Sequence, residues 1–138
     1  MPMTRFECFL EDLAHKVHNL GSDSLVMALV ASEPNAATVA DLGDLTEVSY
    51  TNLSSRAITV SASAQTSGAY KLTLADLTLT ASGAVATWRY GVIYNDTAAN
   101  DEVIGYIDAG EDITMADGHE FTFNFDGSAG LFDIDLAA

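Results

Sequence analysis

The sequence predicts an all-β domain: an antiparallel β-sandwich or barrel with one N-terminal α-helix. Three observations lead there. Short stretches alternate apolar with polar residues at period two, as in Tyr70-Lys71-Leu72-Thr73-Leu74 and Leu77-Thr78-Leu79-Thr80. Turn signals such as Ser82-Gly83 and Asp117-Gly118 separate such stretches. Helical periodicity is found near the N-terminus, in a stripe made by Phe6, Phe9, Leu10, Leu13, Val17 and Leu20.

The helix is expected from about Arg5 to Asn19. Thr4 and Glu7 have capping-box spacing, Lys16 and His18 suit the negative end of the helix dipole, and Gly21 can end it. Ser24 to Val30 is short and β-prone and reads as a buried strand. Residues 31–47, with Pro34 and Gly43 as breakers, form a loop long enough to invite a functional role. Arg56 to Ser63, Tyr70 to Leu74 and Leu77 to Ala81 follow as strands. Thr87 to Tyr94 is the expected central strand, with Trp88, Tyr90, Val92 and Tyr94 on its core face and Arg89, Gly91 and Ile93 on the other. A polar loop, Asn95 to Glu102, joins it to a second strand, Val103 to Asp108, as an antiparallel hairpin. Glu120 to Phe125 places three Phe on one face. Asp126 to Gly130 turns, and Leu131 to Leu136 closes the chain with Phe132, Ile134 and Leu136 together. The expected core holds Trp88, Tyr90, Val92, Phe121, Phe123 and Ile134. One domain spans 1–138, divided into a helical segment 1–22 and a β-region 23–138.

Composition narrows the function classes. Net charge is −15, and beyond Arg89 the chain has eleven acids and no Lys or Arg. A nucleic-acid backbone and an anionic membrane both need a cationic face, so neither is an expected partner. No apolar run approaches the ~18 residues of a membrane helix. The first seven residues carry an acid and no continuous apolar block, so no secretory leader is read there, and synthesis in a cytoplasm is the expectation. The lone Cys8 fits a reducing compartment.

Chemistry-bearing patterns are sparse. Cys8, Glu11, Asp12 and His15 share a helix face, but successive turns of one straight helix cannot close a tetrahedron around an ion. The acidic turns at Asn95-Asp96, Asp101-Glu102, Asp108 and Glu111-Asp112 supply hard oxygens without EF-hand order. Nucleophile elbows and phosphate loops are missing from the sequence, and its carboxylate pairs are too numerous to point to a hydrolase. Trp88, Tyr90, Tyr94 and Tyr106 could line a sugar platform, but strand aromatics ordinarily serve the core. No catalytic residue, metal site or cofactor is expected.

The hairpin carries a resemblance. Trp88-Arg89-Tyr90-Gly91-Val92-Ile93-Tyr94-Asn95-Asp96-Thr97, followed by Val103-Ile104-Gly105-Tyr106-Ile107-Asp108-Ala109-Gly110-Glu111-Asp112, resembles a block of small structural proteins of tailed bacteriophages. Members read "aromatic, Arg-Tyr, small, Val, aliphatic, Tyr, Asp-Asp-Thr", then "Ile-x-Tyr-Ile-Asp-Phe-Gly". Ala109 stands where Phe is usual, and Phe125 where Trp is common. The flanking segments, from the N-terminal helix to the Gly-containing C-terminal strand, agree in order and more loosely in sequence.

The resemblance implies a virion structural protein without catalysis, placed on the capsid exterior. Its implied role is a decoration (cement) protein that binds the major capsid protein lattice and stabilises the head. A homotrimer would suit the threefold positions of such a shell. The alternative is a tail or fibre-associated protein acting in host attachment. The candidate interaction surface combines the helix stripe (Phe6, Phe9, Leu10, Leu13) with the loop residues Glu33, Pro34 and Asn35.

Overall fold

The computed structural model describes residues 1–125 and 130–135. In chain order its elements are β1 (Thr4–Arg5), α1 (Cys8–Ala14), β2 (Leu25–Val30), a 3₁₀ turn (Leu42–Asp44), β3 (Ala57–Ile58), β4 (Val60–Thr66), β5 (Ala69–Leu74), β6 (Leu77–Thr80), β7 (Trp88–Asn95), β8 (Val103–Ile113), β9 (Glu120–Phe123) and β10 (Phe132–Asp135). The pairings are antiparallel and give an all-β sandwich with one short helix. One layer is a five-stranded sheet ordered β1-β8-β7-β2-β3; β10-β5-β4 and β6-β9 lie across from it. Residues 126–129 of the turn expected from Asp126 to Gly130, Leu136, and the side chains of Asp133 and Asp135 lie outside the described residues.

The main core lies between these layers. Leu25, Met27, Leu29, Ile93 and Ile107 from the large sheet meet Leu72, Leu74, Leu79 and Phe123 from the opposing strands. Here β6 alternates buried Leu with exposed Thr, as a strand with one face in water should. In contrast, β2 and β7 are buried along almost their whole length. Their near-continuous apolar sequence reflects two covered faces. Phe6, Ala28, Val30, Val39, Tyr90, Val92, Tyr94, Val103 and Tyr106 form a second core, against which Ala36, Leu42 and Leu45 pack. The long loop 31–47 is thus the lid on the outer face of the large sheet.

Several expectations need correction. Gly91 and Ile93 are buried, and only Arg89 of the supposed outer face is partly open. Trp88 does not share a face with Tyr90. An irregularity pairs Trp88 with Ile113 but Tyr90 with Asp108, and Gly110 within the inserted stretch adopts φ 92°. The shift turns Trp88 into the inter-sheet core, while Tyr90, Val92 and Tyr94 face the lid. Of the expected core, Trp88, Tyr90, Val92 and Phe123 are buried, whereas Phe121 and Ile134 are half-buried. The strand expected at Arg56–Ser63 bends at Thr59, leaving β3 in the large sheet and β4 in the opposite layer.

The helix is shorter than its periodicity suggests. Thr4 and Arg5 pair with Tyr106 and Gly105 along the edge of β8, so the Thr4 to Glu7 capping box does not form. Edge pairing satisfies main-chain groups there and swings Phe6 under the lid. A capping box does form at Asp41 and Asp44, inside the lid. The helix ends in a Schellman arrangement, with Lys16 N–H donating to Leu13 O and Val17 N–H to Asp12 O. Lys16 takes the left-handed position at φ 65°, the role the sequence assigned to Gly21.

Candidate functional site

The residues expected to touch a partner separate into two places. Phe6 is 1% and Phe9 0% exposed, each in one of the protein's own cores, and Leu13 packs on the main core. Leu10, at 59%, is the member of the stripe left open. The stripe therefore serves this domain, because a seven-residue helix lying on the sheet spends its apolar face there.

The loop residues do come together. Glu33, Pro34 and Asn35 line one hollow of about 460 Å³, shared with Thr38, Asp44 and Glu47. Glu33 and Pro34 also hold the lid down, while Asn35 shapes a turn within it. Glu33 accepts a hydrogen bond from Tyr106 Oη at 3.0 Å, Pro34 is buried, and Asn35 Oδ1 accepts one from Ala37 N–H at 2.9 Å. At the far end of the lid the Arg56 guanidinium lies 3.5 Å from the Tyr50 ring centre and donates to Met27 O. Tyr50 Oη in turn donates to Glu47 and accepts from Leu29 N–H. Burial, then the bond to Glu47, pushes the Tyr50 phenol well above its ordinary range.

A polar centre that sequence reasoning missed lies beneath the other end of the hairpin. Asn95, 0% exposed, accepts hydrogen bonds at Oδ1 from Thr97 and Ala98 N–H, which fixes the orientation of its amide. Its Nδ2 then donates to Asp23 Oδ2 at 2.7 Å and to His18 Nδ1 at 3.0 Å. His18 Nδ1 is consequently the unprotonated ring nitrogen, and the proton sits on Nε2, which is buried without a partner among the described residues. His18 was expected to act as a charge at a helix end; instead it is 5% exposed and its ring lies tilted against Phe9 at 5.3 Å. No local pattern marks this centre.

Burial lowers the His18 pKa, against the opposing pull of Asp12, Glu102 and Asp23. The sign follows. The unfolded chain binds a proton at His18 below about pH 6.5, whereas the folded chain resists it, so stability is lost as pH falls from there. The expected result is that wild type loses more stability than His18→Gln between pH 7.5 and 5, measured by urea midpoints. Parallel curves would show that His18 is not held neutral.

Side chains with chemical potential are spread apart. The Cys8 thiol pKa is pushed up to about 11, first by burial and then by Asp12, and the thiol donates toward Val39 O, which favours its protonated form at neutral pH. Glu11 and His15 form an exposed pair at 3.7 Å. Arg89 clasps Asp108 through Nε at 2.9 Å and Nη2 at 3.3 Å, which lowers the Asp108 pKa. Among the described residues no three His, Cys, Asp or Glu side chains converge as a metal site would require. No described helix is long and apolar enough to cross a membrane. The aromatics considered for a sugar platform are buried, Trp88 in one core and Tyr90, Tyr94 and Tyr106 in the other. A cleft of about 620 Å³ opens between the N-terminal segment and the β4-β5-β10 layer, bounded by Leu13, His18, Leu20, Tyr70 and Ile134.

Compared with known proteins, the chain matches no protein-family model, no curated protein and no solved structure.

Proposed function

We propose that this protein is a structural component of a tailed-bacteriophage virion, a cement-type decoration protein that binds the outside of the major capsid lattice. The observation that carries the reading is the block 88–112. Its likeness to small phage structural proteins spans two strands, β7 and β8, that pair along their length and occupy adjacent places inside the large sheet. The likeness therefore concerns the scaffold of the domain as a unit. The net charge of −15 supports an exterior position, since a surface inside the shell would face DNA phosphates.

On this reading the shell contact lies at the lid hollow and at Leu10, the members of the candidate surface that remain open. Deleting residues 1–20 would remove Phe6 and Phe9 from both cores and test folding instead of binding. The experiment is co-sedimentation with undecorated capsids, comparing wild type with Leu10→Asp and Thr38→Arg, both at exposed positions. Saturable binding that one or both variants weaken at least tenfold is the expected result. A protein that ignores capsids and binds host cells would replace this reading with a tail or fibre role in attachment.

A further inference from the structure

The open strand edges of this sandwich are unequal. β1 and β3 end the large sheet but are two residues long, and β1 contains Arg5. β9 contains Glu120, and β10 contains Asp133 and Asp135 within its four residues. Short length and charge are how natural sheets keep an edge from recruiting another strand. β4 has neither protection. It is seven residues long, Val60 to Thr66, and residues 57–70 contain no Asp, Glu, Lys, Arg or His.

β4 pairs with β5 on one side and ends its sheet on the other. Among the described residues, no main-chain hydrogen bond reaches the outer side of Val60–Thr66. The strand is mostly exposed on both faces. The bulge at Val60/Ala62 confines distortion to its start, so Ala62 to Thr66 is a regular ladder. The tight turn at Ser67 (φ 52°) and Gly68 (φ 86°) holds β4 against β5 with the twist of a type I′ hairpin. The result is a preformed, unoccupied row of donors and acceptors.

We propose that β4 is a self-association edge, pairing antiparallel with β4 of a second copy to make a continuous six-stranded sheet across a twofold axis. Charge selects the occupant. Two chains of −15 repel over most of their surface, and β4 is the longest strand edge on which they can meet without apposing acids. An antiparallel strand pair is also self-complementary, as a twofold interface must be. Centring the axis on Ala64 places Ala62 opposite Thr66 and Ser63 opposite Gln65, so no like charges face each other across the new ladder. A strand edge alone buries less than a standard interface, so the pair is weak and forms in the micromolar to millimolar range. This assembly is twofold, whereas the expectation from the sequence is a trimer.

The test is sedimentation velocity of the full chain from about 5 to 500 µM at 0.15 and 0.5 M NaCl. Wild type is expected to shift from monomer toward dimer with concentration, more readily at high salt because repulsion is screened. Ala64→Asp places like charges across the axis and is expected to weaken the dimer at least tenfold while leaving the urea midpoint unchanged. In a Cys8→Ser background, Ala64→Cys is expected to cross-link between copies with a short bismaleimide, and Thr78→Cys on exposed β6 is not. A monomer throughout the range, a dimer indifferent to Ala64→Asp, or equal cross-linking at both positions would each overturn the proposal.

Discussion

Replacing Trp88 by Ala is expected to cost about 3–5 kcal/mol, the range for removing a large aromatic from a closed core. Trp88 is 0% exposed, packs edge-on to Phe121 at 4.9 Å and lies beside Phe123 at 5.6 Å. Phe121, Phe123 and Phe125 continue the row of rings, so the cavity opens among side chains that hold one another in place. Against a typical domain stability of about 5–15 kcal/mol, that loss leaves little margin at 37 °C. Trp88 is also the sole Trp, so the transition has to be followed by far-UV circular dichroism. Its Nε1–H is buried without a partner among the described residues, a cost Trp88 imposes on the fold. Trp88→Phe keeps a ring and removes that donor, and is therefore expected to cost clearly less than Trp88→Ala. A loss under about 1 kcal/mol for Trp88→Ala would place the residue outside the core.

Asn95→Ala is expected to cost about 3 kcal/mol, although it removes only a few atoms. The amide accepts two main-chain N–H groups of the hairpin loop and donates to His18 and Asp23. Without it, His18 Nδ1 loses the bond that balances its burial, and the loop loses its tie to the N-terminal segment. Asn95→Asp retains the two acceptor bonds but sets a carboxylate against that of Asp23, so it is expected to destabilise as well. Equilibrium urea unfolding measures both. A cost for Asn95→Ala within 0.5 kcal/mol of zero, the range of ordinary surface substitutions, would show the centre to be dispensable.

Much of the architecture is legible in local sequence. Period-two alternation in β5 and β6, the Phe stripe ending in β9, and the apolar density of β2, β7 and β8 report burial directly, because a strand's side chains alternate between faces whatever it packs on. The hairpin of β7 and β8 follows from two such strands joined by a polar loop.

Only the tertiary structure decided what covers each face. Nothing local distinguishes a lid from a free loop, yet Val39, Leu42 and Leu45 close the outer face of the large sheet. The pairing irregularity that sends Trp88 to one core and Tyr90 to the other is a property of two strands together. The pattern of Thr4 to Glu7 is compatible with a helix start, but the open edge of β8 claims Thr4 and Arg5 first, since main-chain groups there need partners. The candidate surface divided for the same reason: its helix stripe found cover within the domain, while its loop residues gathered around one hollow. The His18–Asn95–Asp23 centre joins groups more than seventy residues apart, and such contacts leave no periodicity to read. Periodicity records that a side chain is buried; its partner is chosen by the whole chain closing on itself.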